Sequence, residues 1–343
     1  MRNWPVFFYG DPHRRVNHLS SRHKLRIRIA RWARTWLPSK KPPYHKKHLD
    51  FAQQIDLLGK RGLVIADTAV AEAFLQQINY YRLSAYSRVF YQPGNGEIFL
   101  PGTKFEQVQS LYEFDRALRS LINEALEPIE VSMRTGLAYH LGHKYGPFAH
   151  TTGKIFSENR YFNHAEWLDH VEDETTRSRE VFIQHFQNTY AEFPALPVWT
   201  AVEIMSFGTL SKMFANLNST DQAAISSRYG FHQNIITSWL HTIVYVRNIC
   251  AHHARLWNRE LRVKPAIPNK LKDWQIAPRP SPRNISGLLF LLNALNSKIP
   301  VPHFDPAKWR ESIEALVSND RGVKDFQARM GLAQDWNKHP LWR

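Results

Sequence analysis

The feature that most limits this chain is its hydrophobic period. From Leu49 onward, apolar residues return every three or four positions: Phe51, Ile55, Leu58 and Leu63, then Phe74, Leu75, Ile78, Tyr81 and Leu83. That spacing lines one face of a helix with 3.6 residues per turn. The strict alternation a half-buried strand needs is scarce. The longest helical stretch covers 105 to about 143, through Val108, Leu111, Phe114, Leu118, Leu121, Ile122, Ile129, Met133 and Leu137. Within it Pro128 predicts a break into two helices, because an interior proline lacks an amide donor and collides with the carbonyl four residues back. Residues 199–217 read as one amphipathic stretch, Ser219-Thr220-Asp221 as the cap of the next helix, and 235 to about 259 as a helix whose apolar side holds Ile236, Leu240, Ile243, Val244 and Cys250. The expected fold class is all-α, a helical bundle. The turn Gln92-Pro93-Gly94-Asn95-Gly96-Glu97, followed by Ile98-Phe99-Leu100, leaves room for a small β-hairpin.

Four stretches follow from the pattern. They are a basic extension over 1–47, an N-terminal helical subdomain over 48–103, a main helical domain over 104–263, and a proline-punctuated helical segment over 264–343. The last contains an apolar helix at 285–295 and the tryptophans Trp309, Trp336 and Trp342.

With 20 Phe, 13 Tyr and 11 Trp the chain can bury a large core, which argues against global disorder. Its formal net charge is +15. Such a surplus draws polyanions, nucleic acid first and acidic membrane second, although a basic protein without any polyanionic ligand carries the same number. The single cysteine, Cys250, excludes an intramolecular disulfide and a cysteine-based metal site. No run approaches the roughly 20 apolar residues of a membrane span, and no secretory signal is visible, so a soluble cytoplasmic protein is expected. The cationic stretch 22–37 has three open readings: an arm that tracks phosphates, a peripheral membrane helix, or an extension without a fixed structure.

Polar residues crowd the segment Arg247-Asn248-Ile249-Cys250-Ala251-His252-His253-Ala254-Arg255-Leu256-Trp257-Asn258-Arg259. On a continuing helix Asn248, His252, Arg255 and Arg259 form one stripe, with Arg247 and Asn258 on the next. These residue types suit RNA phosphodiester cleavage. The substrate's own 2′-hydroxyl is the nucleophile, histidine transfers protons near neutral pH, and arginine grips phosphate oxygens in pairs. No metal or other cofactor is required. The alternative is a polar helix face with His252 satisfied in a hydrogen-bond network. One obstacle stands out: five residues apart, Arg247 and His252 point about 140° away from each other on an ideal helix. The helix bends or ends there, long side chains reach around it, or two copies of the motif meet in a homodimer; the last is the favoured reading.

The segments Asn79-Tyr80-Tyr81-Arg82-Leu83-Ser84-Ala85-Tyr86, Phe114-Asp115-Arg116-Ala117-Leu118-Arg119, Ile129-Glu130 with Arg134, and Pro197-Val198-Trp199-Thr200-Ala201-Val202-Glu203 carry a resemblance. So do Ser206-Phe207-Gly208 and Arg247 to Asn258. Taken together, over about 44–270, the chain resembles the Abi-like abortive-infection proteins of bacteria, including the AbiD and AbiF types. The resemblance implies the HEPN superfamily of helical, metal-independent RNases with an Arg-x4–6-His signature. It implies a toxin or phage-defence role and a small-RNA antitoxin as partner. It makes Arg247 and His252 the catalytic pair and Asn248 their polar helper. His253, Arg255, Asn258 and Arg259 are then candidate RNA contacts.

Arg134 and His140 repeat the spacing and are a second candidate for RNA contact, although Arg134 also stands four residues from Glu130 and is expected to pair with it. The cluster Tyr80, Tyr81, Arg82 and Tyr86 reads as core, with base stacking as the other role. Glu203 reads as a buried partner of an arginine, with a catalytic acid as the other role. No histidine pair has the spacing and carboxylate support of a metal site. Two competing functions are a non-catalytic RNA-binding or regulatory module and a membrane-associated effector working through the basic arm.

Overall fold

The computed structural model describes residues 42–157, 160–319 and 321–343. The cationic stretch 22–37 lies outside them, and residues 42–50 are irregular and almost wholly exposed. From residue 51 the described chain is all-α, with thirteen α-helices. In chain order these are α1 (Phe51–Lys60), α2 (Thr68–Gln77), α3 (Tyr80–Ser87), α4 (Phe105–Tyr145), α5 (His164–Arg177), α6 (Val181–Thr189) and α7 (Val198–Ile204). They continue with α8 (Phe207–Asn216), α9 (Ser219–Ser226), α10 (Gln233–Ala251), α11 (Ile285–Asn296), α12 (Pro306–Ser318) and α13 (Phe326–Arg329).

The 41 residues of α4 form the spine, and α3, α7, α8, α9, α10, α11 and α12 all pack on it. The expected break at Pro128 does not occur: the helix continues and Pro128 is buried inside it. Proline deprives the Glu124 carbonyl of its helical partner. In the same stretch the C-terminal helices supply side-chain donors. The Asn296 amide donates to the Ala125 carbonyl at 2.9 Å and the Trp309 indole to the Leu121 carbonyl at 2.8 Å. Tertiary packing thus holds a helix that local propensity would interrupt. The spine ends at Tyr145, close to the expected 143, and its C-cap is Gly146, whose φ of +86° suits glycine.

Other boundaries move for reasons of capping. The stretch 70–91 divides because the Asn79 side chain accepts from the Tyr81 amide at 2.7 Å and starts α3. The stretch 199–217 divides because the Ser206 hydroxyl accepts from the Thr209 amide at 3.2 Å and starts α8. The cap of α9 is Asn218 rather than Ser219. The expected hairpin shrinks to one antiparallel bridge between Tyr91 and Phe99, and the described residues contain no sheet. The 264–343 segment belongs to the same compact unit as 51–263; eleven of the twelve residues of α11 are buried against it. Glu203, expected to be buried, is exposed.

Candidate functional site

Helix α10 buries Ile236, Trp239, Leu240, Ile243, Val246, Ile249 and Cys250. The same helix exposes His241, Arg247, Asn248, Ala251 and, at its cap, His252. The helix stops at Ala251, well short of the expected 259, and His252 is its C-cap. The stripe Asn248, His252, Arg255, Arg259 therefore does not exist as such: Arg255, Asn258 and Arg259 lie in irregular chain. His252, with φ −87° and ψ 8°, is still close to helical phase, so the helix end alone leaves the splay from Arg247 in place.

The stop is made by backbone hydrogen bonds. The Ala254 amide donates to the Ile249 carbonyl at 3.0 Å and the His253 amide to the Cys250 carbonyl at 2.9 Å. These are the two bonds of a Schellman turn, which places His253 in the left-handed region at φ +51°.

Behind the turn, α3 and α4 hold the outgoing chain residue by residue. Arg82 donates to the His253 carbonyl. Arg119 donates to the Ala254 carbonyl at 3.3 Å. Arg255 reaches back to the Ala85 carbonyl at 2.8 Å. The Asp115 carboxylate accepts from the Leu256 amide at 3.1 Å and the Trp257 amide at 2.7 Å. The Tyr86 hydroxyl donates to the same carboxylate at 2.6 Å, and Arg119 is ion-paired to it. Asp115 is fully buried. Burial raises its pKa above the ordinary value, against the opposing pull of the Arg119 charge, the Tyr86 hydroxyl and the two amides. Burial, then the neighbouring Arg259, lowers the pKa of Arg255, with a smaller push from Arg88. Burial pushes the Cys250 thiol up to about 12, which disfavours its thiolate form.

Every residue of this clamp falls within one stretch of recognisable sequence. The pattern of the family described as Abi-like protein matches residues 73–258. The chain belongs to the Abi-like family. No curated protein and no solved structure matches it. In this Abi-like protein the separated sequence segments converge on one place: α3 supplies Tyr86 and Arg82, α4 supplies Asp115 and Arg119, and both grip the segment that follows His252. Asp115 and Arg119 carry no assigned role in the sequence, and Arg82, a candidate there for base stacking, instead donates to the His253 carbonyl. The four-residue spacing of Asp115 and Arg119 was the available signal.

Arg134 and His140 are not brought to this place. They sit about 20–30 Å further along α4, counting 1.5 Å per residue from Arg119. Arg134 pairs with Glu130, as the spacing predicts, and donates to the carbonyls of Val202 and Met205. His140 lies 2.7 Å from the buried Asp221 carboxylate. Tyr86 is core, Tyr80 accepts from Arg61 at 2.6 Å, and Tyr81 is 69% exposed. The Asn258 side-chain oxygen is buried without a hydrogen-bond partner. Among the described residues no three His, Cys, Asp or Glu side chains group closely enough to hold a metal ion. No helix there is long and apolar enough to cross a membrane. Membership of the Abi-like family points to a role in abortive infection.

Proposed function

We propose that this Abi-like protein is a metal-independent endoribonuclease of the HEPN type, acting in phage defence or as a toxin. The observation that carries the reading is the exposure of Arg247, Asn248 and His252 together at one helix end whose backbone is fixed from behind. A catalytic group has to be both reachable and rigid, and this helix end meets both needs. In the proposed reaction Arg247 binds the phosphate oxygens and stabilises the phosphorane, His252 transfers a proton, and Asn248 orients the pair. The splay between Arg247 and His252 favours a homodimer in which each subunit supplies part of a shared site. A small-RNA inhibitor covering the same face is part of the proposal.

The test is cleavage of RNA by purified protein in EDTA, with 2′,3′-cyclic phosphate ends as the expected product. His252→Ala should remove cleavage while the melting temperature stays within about 2 °C of the parent, as for an exposed substitution. Equal rates in the parent and His252→Ala would end the assignment. Salt-sensitive RNA binding without scission would leave the chain as an RNA-binding module.

A further inference from the structure

Next to His252 stands a residue whose backbone conformation does not suit its side chain. His253 has φ +51°, and the other non-glycine residue in that region among the described residues is Asp325. The C′ position of a Schellman turn is ordinarily glycine, because a Cβ there crowds the following carbonyl. Keeping a histidine at such a position asks for a reason in its side chain. Its imidazole makes no hydrogen bond among the described residues, and the side chain is exposed, so internal packing is not that reason.

The surrounding backbone is built to keep this residue where it is. The His253 amide is bound to Cys250, its carbonyl to Arg82, and the next carbonyl to Arg119. Arg88 and Arg259 also lie near the clamp, close enough to depress Arg255. Two exposed imidazoles thus leave adjacent Cα atoms, about 3.8 Å apart, on a fixed turn backed by arginines.

We propose that His253 is a second proton-transfer residue, dividing the work of RNA cleavage with His252. This rests on the endoribonuclease reading. One neutral imidazole takes the proton from the 2′-hydroxyl as that oxygen forms its bond to phosphorus. The bond from phosphorus to the 5′-oxygen then breaks with its electron pair on oxygen, which takes a proton from the other imidazole, held as imidazolium. The products are a 2′,3′-cyclic phosphate and a 5′-hydroxyl, and exchange with water restores both rings.

His253→Gly is the discriminating variant, because glycine suits the left-handed backbone and the turn survives it. We expect an unchanged or higher melting temperature and a single-turnover rate lowered by about 100-fold or more. One limb of the pH–rate profile should disappear, and affinity for an uncleavable 2′-deoxy strand should stay within about threefold. A substrate with sulfur at the bridging 5′ position, whose leaving group departs without a proton, should restore cleavage to one of His252→Ala and His253→Gly and not to the other. A His253→Gly protein that cleaves within about threefold of the parent, or whose loss is wholly a loss of affinity, overturns the proposal while the nuclease reading stands. So does a sulfur substrate that rescues neither variant. A parent protein that cleaves no RNA overturns the nuclease reading and this inference with it.

Discussion

Asp115 and Asp221 are both sealed carboxylates with four side-chain or backbone donors each; Asp115 lies on the first third of α4, and Asp221, on α9, meets the last turns of α4. Asp115 takes Tyr86, Arg119 and the amides of Leu256 and Trp257. Asp221 takes His140 and Lys144 at 2.7 Å, with Tyr145 and the Asn218 amide at the same distance. Their electrostatics part ways. At Asp115 burial dominates and the pKa rises. At Asp221 burial also pushes up, but the hydrogen bonds from Lys144, His140, Tyr145 and Asn218 outweigh it and carry the pKa down to about 2. Lys144 is 41% exposed, so its charge is delivered without being taken out of water. Arg119 is itself buried, so both members of its pair lose hydration. Both side chains are out of contact with water, but Asp115 lies deeper in the protein than Asp221, and that depth helps to give the two shifts opposite signs; the roles differ in what the donors belong to. The Asp221 donors are side chains on helices already in place. Half of the Asp115 donors are amides of the chain that leaves His252.

That contrast can be broken or sharpened by substitution. Asp115→Ala is expected to have the largest effect, about 3–5 kcal/mol in urea unfolding, because it leaves Arg119 buried without a counter-charge and two amides unpaired. A loss below about 1 kcal/mol would show that the segment after His252 is held by something else.

Asp221→Asn comes next, at about 2 kcal/mol near neutral pH, from the fall of its pKa from 3.8 to about 2. The sign follows from the direction of the shift. A depressed acid favours the folded state when ionised, so its contribution is complete above about pH 4 and is lost as the pH drops toward 2. The difference in stability between parent and Asp221→Asn should therefore shrink across that window. A difference that is constant with pH would mean the cluster contributes by shape alone.

Trp309→Phe is the smallest, about 1 kcal/mol, from one lost hydrogen bond to the Leu121 carbonyl, which lies between the two clusters on α4. Hydrogen exchange should show the extra opening confined to the α4 turns around Pro128. Opening that spreads to both carboxylates would mean that they depend on one another through the spine.

Much of the fold is legible in the sequence because burial imposes a period. The apolar face of α10 from Ile236 to Cys250 and the Arg134–Glu130 pair both follow from spacing. The exposure of Arg247, Asn248 and His252 does not follow from that period, since Arg247 stands four residues from the buried Ile243 and His252 three from the buried Ile249. Other features were hidden by competing forces. Pro128 does not break α4, and the side chains that meet the two turns before it, Asn296 on Ala125 and Trp309 on Leu121, come from more than 160 residues further along the chain. The stop of α10 carries no glycine signal because His253 occupies the place a glycine would take.

From the sequence alone it follows that the chain is helical, that it carries a strong positive charge, and that a cluster of polar residues follows the apolar face of one helix. Those are properties of residue type and period, and they need no distant partner. Only the tertiary structure decided where that helix stops, which arginines are held inside, and what anchors His252 and His253. Each of those depends on a donor and an acceptor far apart in sequence, whose meeting is settled by how α3 and α4 pack against the chain leaving α10.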